Sequence, residues 1–140
     1  MAATGLTRFL DAQNQMYLRA LDEVKSGRKT SHWMWYIFPQ IAGLGHSDTA
    51  KFYAIRDLQE ATDYLNHPVL GKHLIEIATV LLGLEGKNAT AIFSTPDDMK
   101  LRSSMTLFAQ VQNADPVFKE VIVKYFGGSF DPLTLKLLQK

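Results

Sequence analysis

Apolar residues recur at helical spacing along most of the chain. Over residues 6–24, Leu6, Leu10, Tyr17, Leu21 and Val24 form one stripe, widened by Phe9, Met16 and Ala20. Arg8, Asp11, Arg19, Asp22 and Glu23 fall mostly on the opposite side. Gln13 lies close to the stripe and is expected to point inward as a hydrogen-bonded amide, with Asp11 and Asn14 as its polar neighbours. Gly27 suits the left-handed residue past the helix end, and Lys25 and Arg28 favour that negative pole.

Punctuation marks the later helices. Ser47 sits where an N-cap belongs, after the Gly43–Leu44–Gly45 turn. Asp57 with Glu60 has the form of a capping box. Pro68 opens a helix carrying Leu70, Leu74, Ile77, Ala78, Leu81 and Leu82, apolar nearly all round from Ile75 and so expected to be central. Gly83 and Gly86 close it. Thr95–Pro96, Asp115–Pro116 and Asp131–Pro132 start three more helices. Strand-like alternation is not seen over a convincing length. The pattern predicts an all-α fold of about seven helices in a single domain spanning residues 1–140.

Residues 31–40 are the ambiguous stretch. They hold both tryptophans, Trp33 and Trp35, with Tyr36 and Phe38. Helical spacing pairs Trp33 with Ile37; strand spacing would align Trp33, Trp35 and Ile37. A short helix is favoured, capped by Thr30 or Ser31 and ended by Pro39, because no partner strand is evident.

Composition narrows the class. A length of 140 residues with 46% hydrophobic content can bury a core of its own. The absence of cysteine excludes disulfides, thiolate metal sites and a cysteine nucleophile. A net charge of +1 gives no bulk attraction to nucleic acid or anionic membrane. No apolar run reaches the roughly 18 residues of a membrane span, and the N-terminus lacks a signal-peptide pattern. A cytoplasmic location is the expectation. Composition and spacing do not specify the oligomeric state.

The candidate chemistry centres on the aromatic block. His32 and His46 flank it and are candidates for proton transfer. Trp33 and Trp35 could form the wall of a ligand site, with Gln40, Ser47, Asp97, Lys100, Arg102 and Ser103 as polar contacts. Asp97 and Asp98 lie in a first helical turn, where the dipole favours the charged form. Such a set suits a nucleotide-like small molecule. His32, His46, His67 and His73 have no one-turn spacing and no His-Glu-x-x-His motif, so no metal is expected, and no cofactor is implied. A serine triad lacks its Gly-x-Ser-x-Gly elbow. Two other readings stand: an interaction module anchored by Trp33, Trp35 and Phe38, and a helical domain whose rings are only core.

Five stretches carry a resemblance. They are residues 6–13, residues 27–40 from Gly27 through Gln40, the Gly43 to Ser47 turn, residues 67–71 from His67–Pro68, and residues 92–108 with Pro96–Asp97–Asp98 and Arg102–Ser103–Ser104. Together they resemble the bacterial "domain of unknown function 1810" family over nearly the whole chain. The resemblance implies a small, predominantly helical domain. The family has no established activity, so it assigns no catalytic residue.

Overall fold

The computed structural model describes residues 5–139. Among them the chain forms nine helices: α1 (Thr7–Lys25), α2 (Met34–Ile37), α3 (Asp48–Phe52), α4 (Leu58–Asn66), α5 (Leu70–Gly83), α6 (Ala89–Phe93), α7 (Asp97–Ala109), α8 (Val117–Phe126) and α9 (Pro132–Leu138). The fold is all-α. A single parallel bridge, Ile41 to Ile55, is the extended pairing among the described residues. No described helix is long and apolar enough to cross a membrane.

The helix α5 lies at the centre, packed against α1, α4 and α8, while α7 packs against α4, α6, α8 and α9. Leu70, Leu74, Ile77, Ala78 and Leu81 of α5 are buried. Gly71 permits a close approach: a Cβ there would lie 2.0 Å from the Leu65 carbonyl oxygen, so a side chain would force α4 and α5 apart. A chain of rings crosses the core. Phe9 meets Tyr64 edge-on at 5.1 Å, Tyr64 meets Phe108 at 5.2 Å, and Phe108 meets Phe118 at 6.0 Å. These rings join α1, α4, α7 and α8.

Most of the helix starts fall where the sequence places them, though several caps work differently. Ser47 accepts from the Ala50 amide and Asp57 from the Glu60 amide, as expected. The Glu60 carboxylate, however, takes the Arg56 amide and the Arg8 guanidinium instead of completing a capping box. At α5 the imidazole of His67 accepts from the amides of Val69 and Leu70. Thr30 and Ser31 do not cap α2; they donate to Glu23. The short α6, capped by Asn88, was not expected.

Arg8 also departs from expectation. It belongs to the polar side of α1 by pattern, yet it is buried. Its guanidinium donates to the carbonyls of Gly5, Phe52 and Ala54 and pairs with Glu60 at 3.0 Å. With every N–H satisfied, burial of this charge is tolerated. Burial would raise the Glu60 pKa, but Arg8 and the Arg56 amide outweigh it and hold the carboxyl below its usual value.

Candidate functional site: the aromatic block and the α1–α5 cleft

The aromatic block divides into a buried half and a surface half. Trp33 is fully buried, with Phe38 and Phe93 around it. Its indole N–H donates to Glu23 at 2.8 Å. Glu23 also accepts from both the amide and hydroxyl of Ser31 and from the Thr30 amide. Burial alone would raise its pKa, but these bonds outweigh it and hold the carboxyl at about 2. Glu23 therefore stitches the end of α1 to the chain entering α2.

Trp35 is half-buried, and the Lys100 ammonium lies 5.4 Å from its ring centroid. Asp97 bridges Lys100 at 3.4 Å and Lys29 at 2.8 Å, and Lys29 in turn lies 5.1 Å from the Trp33 ring. The structure thus brings Trp33, Trp35, Asp97 and Lys100 together and adds Lys29, which the sequence did not single out. Trp35 and Gln40 border a hollow of about 10 Å³ with Gly45 and Tyr53. That is room for about one water molecule.

The remaining candidates lie apart from this group. His32 and His46 are exposed, and neither ring has a hydrogen bond among the described residues. Ser47 is occupied as the cap of α3. Arg102 donates to the Ser129 carbonyl and hydroxyl and to the Phe130 carbonyl, and the Ser103 hydroxyl donates to Asp131 at 2.8 Å. Those two side chains hold the approach to α9. Phe38 and Trp33 have no exposed surface, which corrects their reading as interaction anchors: the Glu23 bond and the ring cluster draw them inward.

A different group converges between α1 and the start of α5. Leu10, Asp11, Gln13, Asn14, Val69 and His73 line a cleft of about 340 Å³, within the size range of small-molecule sites. Gln13 is buried, as its place on the stripe implied. Its amide nitrogen donates to the Tyr36 carbonyl at 2.8 Å and to the Tyr64 hydroxyl at 2.9 Å. A carbonyl can only accept, so the amide orientation is set, and the Gln13 oxygen faces His73 Nδ1 at 2.8 Å. Nδ1 therefore carries the proton and Nε2 carries a lone pair. That nitrogen has no hydrogen bond among the described residues.

Tyr17 completes the mounting. Its ring stacks on the imidazole at 3.6 Å and 6°. Its hydroxyl donates to Glu76 and lies 3.1 Å from the His73 carbonyl. Burial and then Glu76 push the Tyr17 pKa far above its usual value, so the hydroxyl stays protonated. Burial lowers the His73 pKa; Glu76 opposes that shift and Lys72 adds to it. A neutral imidazole with a fixed tautomer is a directed hydrogen-bond acceptor. Its partner is an amide, which does little to stabilise imidazolium, so the arrangement favours binding over strong general-base chemistry.

The helical stripe exposed the inward turn of Gln13. Nothing in the pattern links it to His73, which lies 60 positions on in the chain.

The chain matches the model of the family described as "Protein of unknown function (DUF1810)" over residues 3–138. It is similar to the solved structure of the conserved hypothetical protein Rv1873 from Mycobacterium tuberculosis, at 44% identity, 96% coverage of each chain and a TM-score of 0.94. No curated protein matches it.

Proposed function

The chain belongs to the DUF1810 family, and we propose that it binds a small molecule in the cleft between α1 and α5, with His73 Nε2 as the directing acceptor. One observation carries this reading. Tyr36, Tyr64 and Gln13 fix a single His73 tautomer and leave its other nitrogen without a hydrogen-bond partner among the described residues, in a ring that lines a cleft of about 340 Å³.

The test is ring ¹⁵N NMR of His73 while a fragment panel of cationic, anionic and neutral compounds is added. Binding in the cleft moves the Nε2 resonance saturably for at least one class, and His73→Ala abolishes the response. A panel that leaves the ring unmoved overturns the reading.

A second reading keeps the aromatic surface. Trp35 is half-exposed beneath the Lys100 ammonium, with Lys29 and Asp97 beside it, which supports a nucleotide-like ligand lying on the indole. His32 and His46 are exposed and lie outside that group, so this reading is one of binding. Tryptophan fluorescence titrated with nucleotides, dinucleotides and ADP-ribose-type compounds tests it: saturable quenching lost in Trp35→Ala supports it, and no quenching removes it. The hollow beside Trp35 holds only about 10 Å³, against about 340 Å³ in the α1–α5 cleft, so the cleft ranks first.

A further inference from the structure

Two clefts of similar size lie along the first half of α1, and they carry opposite charge. One, of about 330 Å³, is lined by Gly5, Arg8, Lys51, Phe52, Ala54, Arg56 and Glu60, so cations outnumber the carboxylate. The other is the His73 cleft, of about 340 Å³, where Asp11 is the charged group of the lining. Asp11 forms no salt bridge among the described residues. No lysine or arginine lines this cleft.

The hydrogen-bonding inventory points the same way. His73 Nε2 can only accept, because its partner nitrogen holds the proton. The Asp11 carboxylate can only accept. Both Gln13 donors are engaged by Tyr36 and Tyr64. Asn14 alone can offer a side-chain N–H to a ligand. Leu10 and Val69 supply the apolar wall, and Val69 is 41% exposed.

A lining with two acceptors, one net negative charge and an apolar wall is complementary to a donor-bearing cation. We infer that the ligand of this cleft is an organic cation, an ammonium or amidinium on a small apolar body, its N–H groups shared between Asp11 and His73 Nε2. The inference rests on the cleft being a binding site. It separates this site from the anionic ligand class considered for the aromatic surface. The charged groups acting on His73 are Glu76 and Lys72 on α5, with Gln13 and Tyr17 from α1 and Tyr64 behind Gln13 as its polar surroundings; Asp11 lines the same cleft and acts on Tyr53. Lys72 and Glu76 oppose each other at His73, and Asp11 is the charged group of the lining itself.

Benzylammonium, benzoate and benzyl alcohol test this as probes of one shape and three charges. Each is titrated against the protein at pH 7.5, followed by the His73 ring nitrogens and the amides of Asp11, Asn14 and Val69. The expected result is saturable shifts with benzylammonium, weakened about tenfold by Asp11→Asn and weakened again as pH falls and Nε2 becomes protonated. Asp11 is exposed, so its amide variant keeps the fold. Benzoate or benzyl alcohol binding as tightly as benzylammonium overturns the cation inference and leaves the cleft a binding site. Silence from all three probes overturns both.

Discussion

Two places in this fold repeat one device with opposite results. At the α1–α2 corner, Glu23 holds the N–H of Trp33 at 2.8 Å. At the α1–α5 cleft, Gln13 holds His73 Nδ1 at the same distance. Both acceptors project from α1, and both heterocycles come from elsewhere in the chain. Indole has one nitrogen, so the bond exhausts its polar chemistry and the ring can be buried completely. Imidazole has two, so the same bond leaves a lone pair that needs water or a ligand. The acceptors differ as well. Glu23 is charged and gathers bonds from Thr30, Ser31 and Trp33, while Gln13 is neutral and also donates to Tyr36 and Tyr64. A closed hydrogen-bond account marks a structural corner; one open nitrogen at a cleft is what the proposed binding site rests on.

The largest effect belongs to the closed corner. Glu23→Ala strips the Trp33 N–H and the Thr30 and Ser31 groups of their acceptor at once, and is expected to cost about 3 kcal/mol in urea unfolding. The pH dependence follows from the lowered carboxyl. Its folded pKa of about 2 lies below the ordinary glutamate value of 4.5. The unfolded chain therefore takes up the proton first on acidification. The Glu23 contribution is full above about 4.5 and is lost as pH falls toward about 2. Glu23→Gln should flatten that part of the stability profile. A variant as stable as the parent at pH 7 would show that the corner is held by ring packing alone.

That corner also shows how far the sequence could be read. Trp33 and Trp35 are two residues apart in one apolar run, yet one is core and the other half-exposed. Period distinguishes faces, but it does not say which face meets the core in a helix of four residues, Met34–Ile37. The long stripes of α1 and α5 were legible because many positions vote together, and Gln13 was placed inward for the same reason. Helix α6 went unseen because Ala89–Phe93 is too short to show a period. Arg8 and Arg102 look alike as surface cations. Their carbonyl partners, Gly5, Phe52 and Ala54 for one and Ser129 and Phe130 for the other, are mostly distant in the chain and invisible to spacing. The aromatic block drew attention by its richness, whereas the cleft is assembled from ordinary residues whose meaning is their meeting.

An intermediate effect comes from making the open site resemble the closed one. Gln13→Glu places a carboxylate beside His73 Nδ1–H and removes the donor to the Tyr36 carbonyl. The lost bond should cost roughly 1–3 kcal/mol. The new charge should raise the His73 pKa, read from the ring carbon-bound protons as pH is varied. An unchanged His73 titration would mean that Gln13 does not face the imidazole, and the tautomer assignment would fall with it.

The smallest effect is the most diagnostic of the cleft. His73→Ala removes a partly exposed ring stacked on Tyr17 and is expected to cost about 1 kcal/mol at pH 8. The lowered folded pKa of His73 gives the pH dependence its sign. The unfolded chain binds that proton more readily, so the parent loses stability as pH falls through the imidazole's ordinary value and on to its folded one. The alanine variant lacks this loss. Urea midpoints for the two proteins should therefore draw together between pH 8 and pH 5, with all other titrating groups common to both. A gap that widens on acidification would mean that the fold prefers imidazolium. Nε2 would then be a donor, and the cleft would suit an anion instead of a cation.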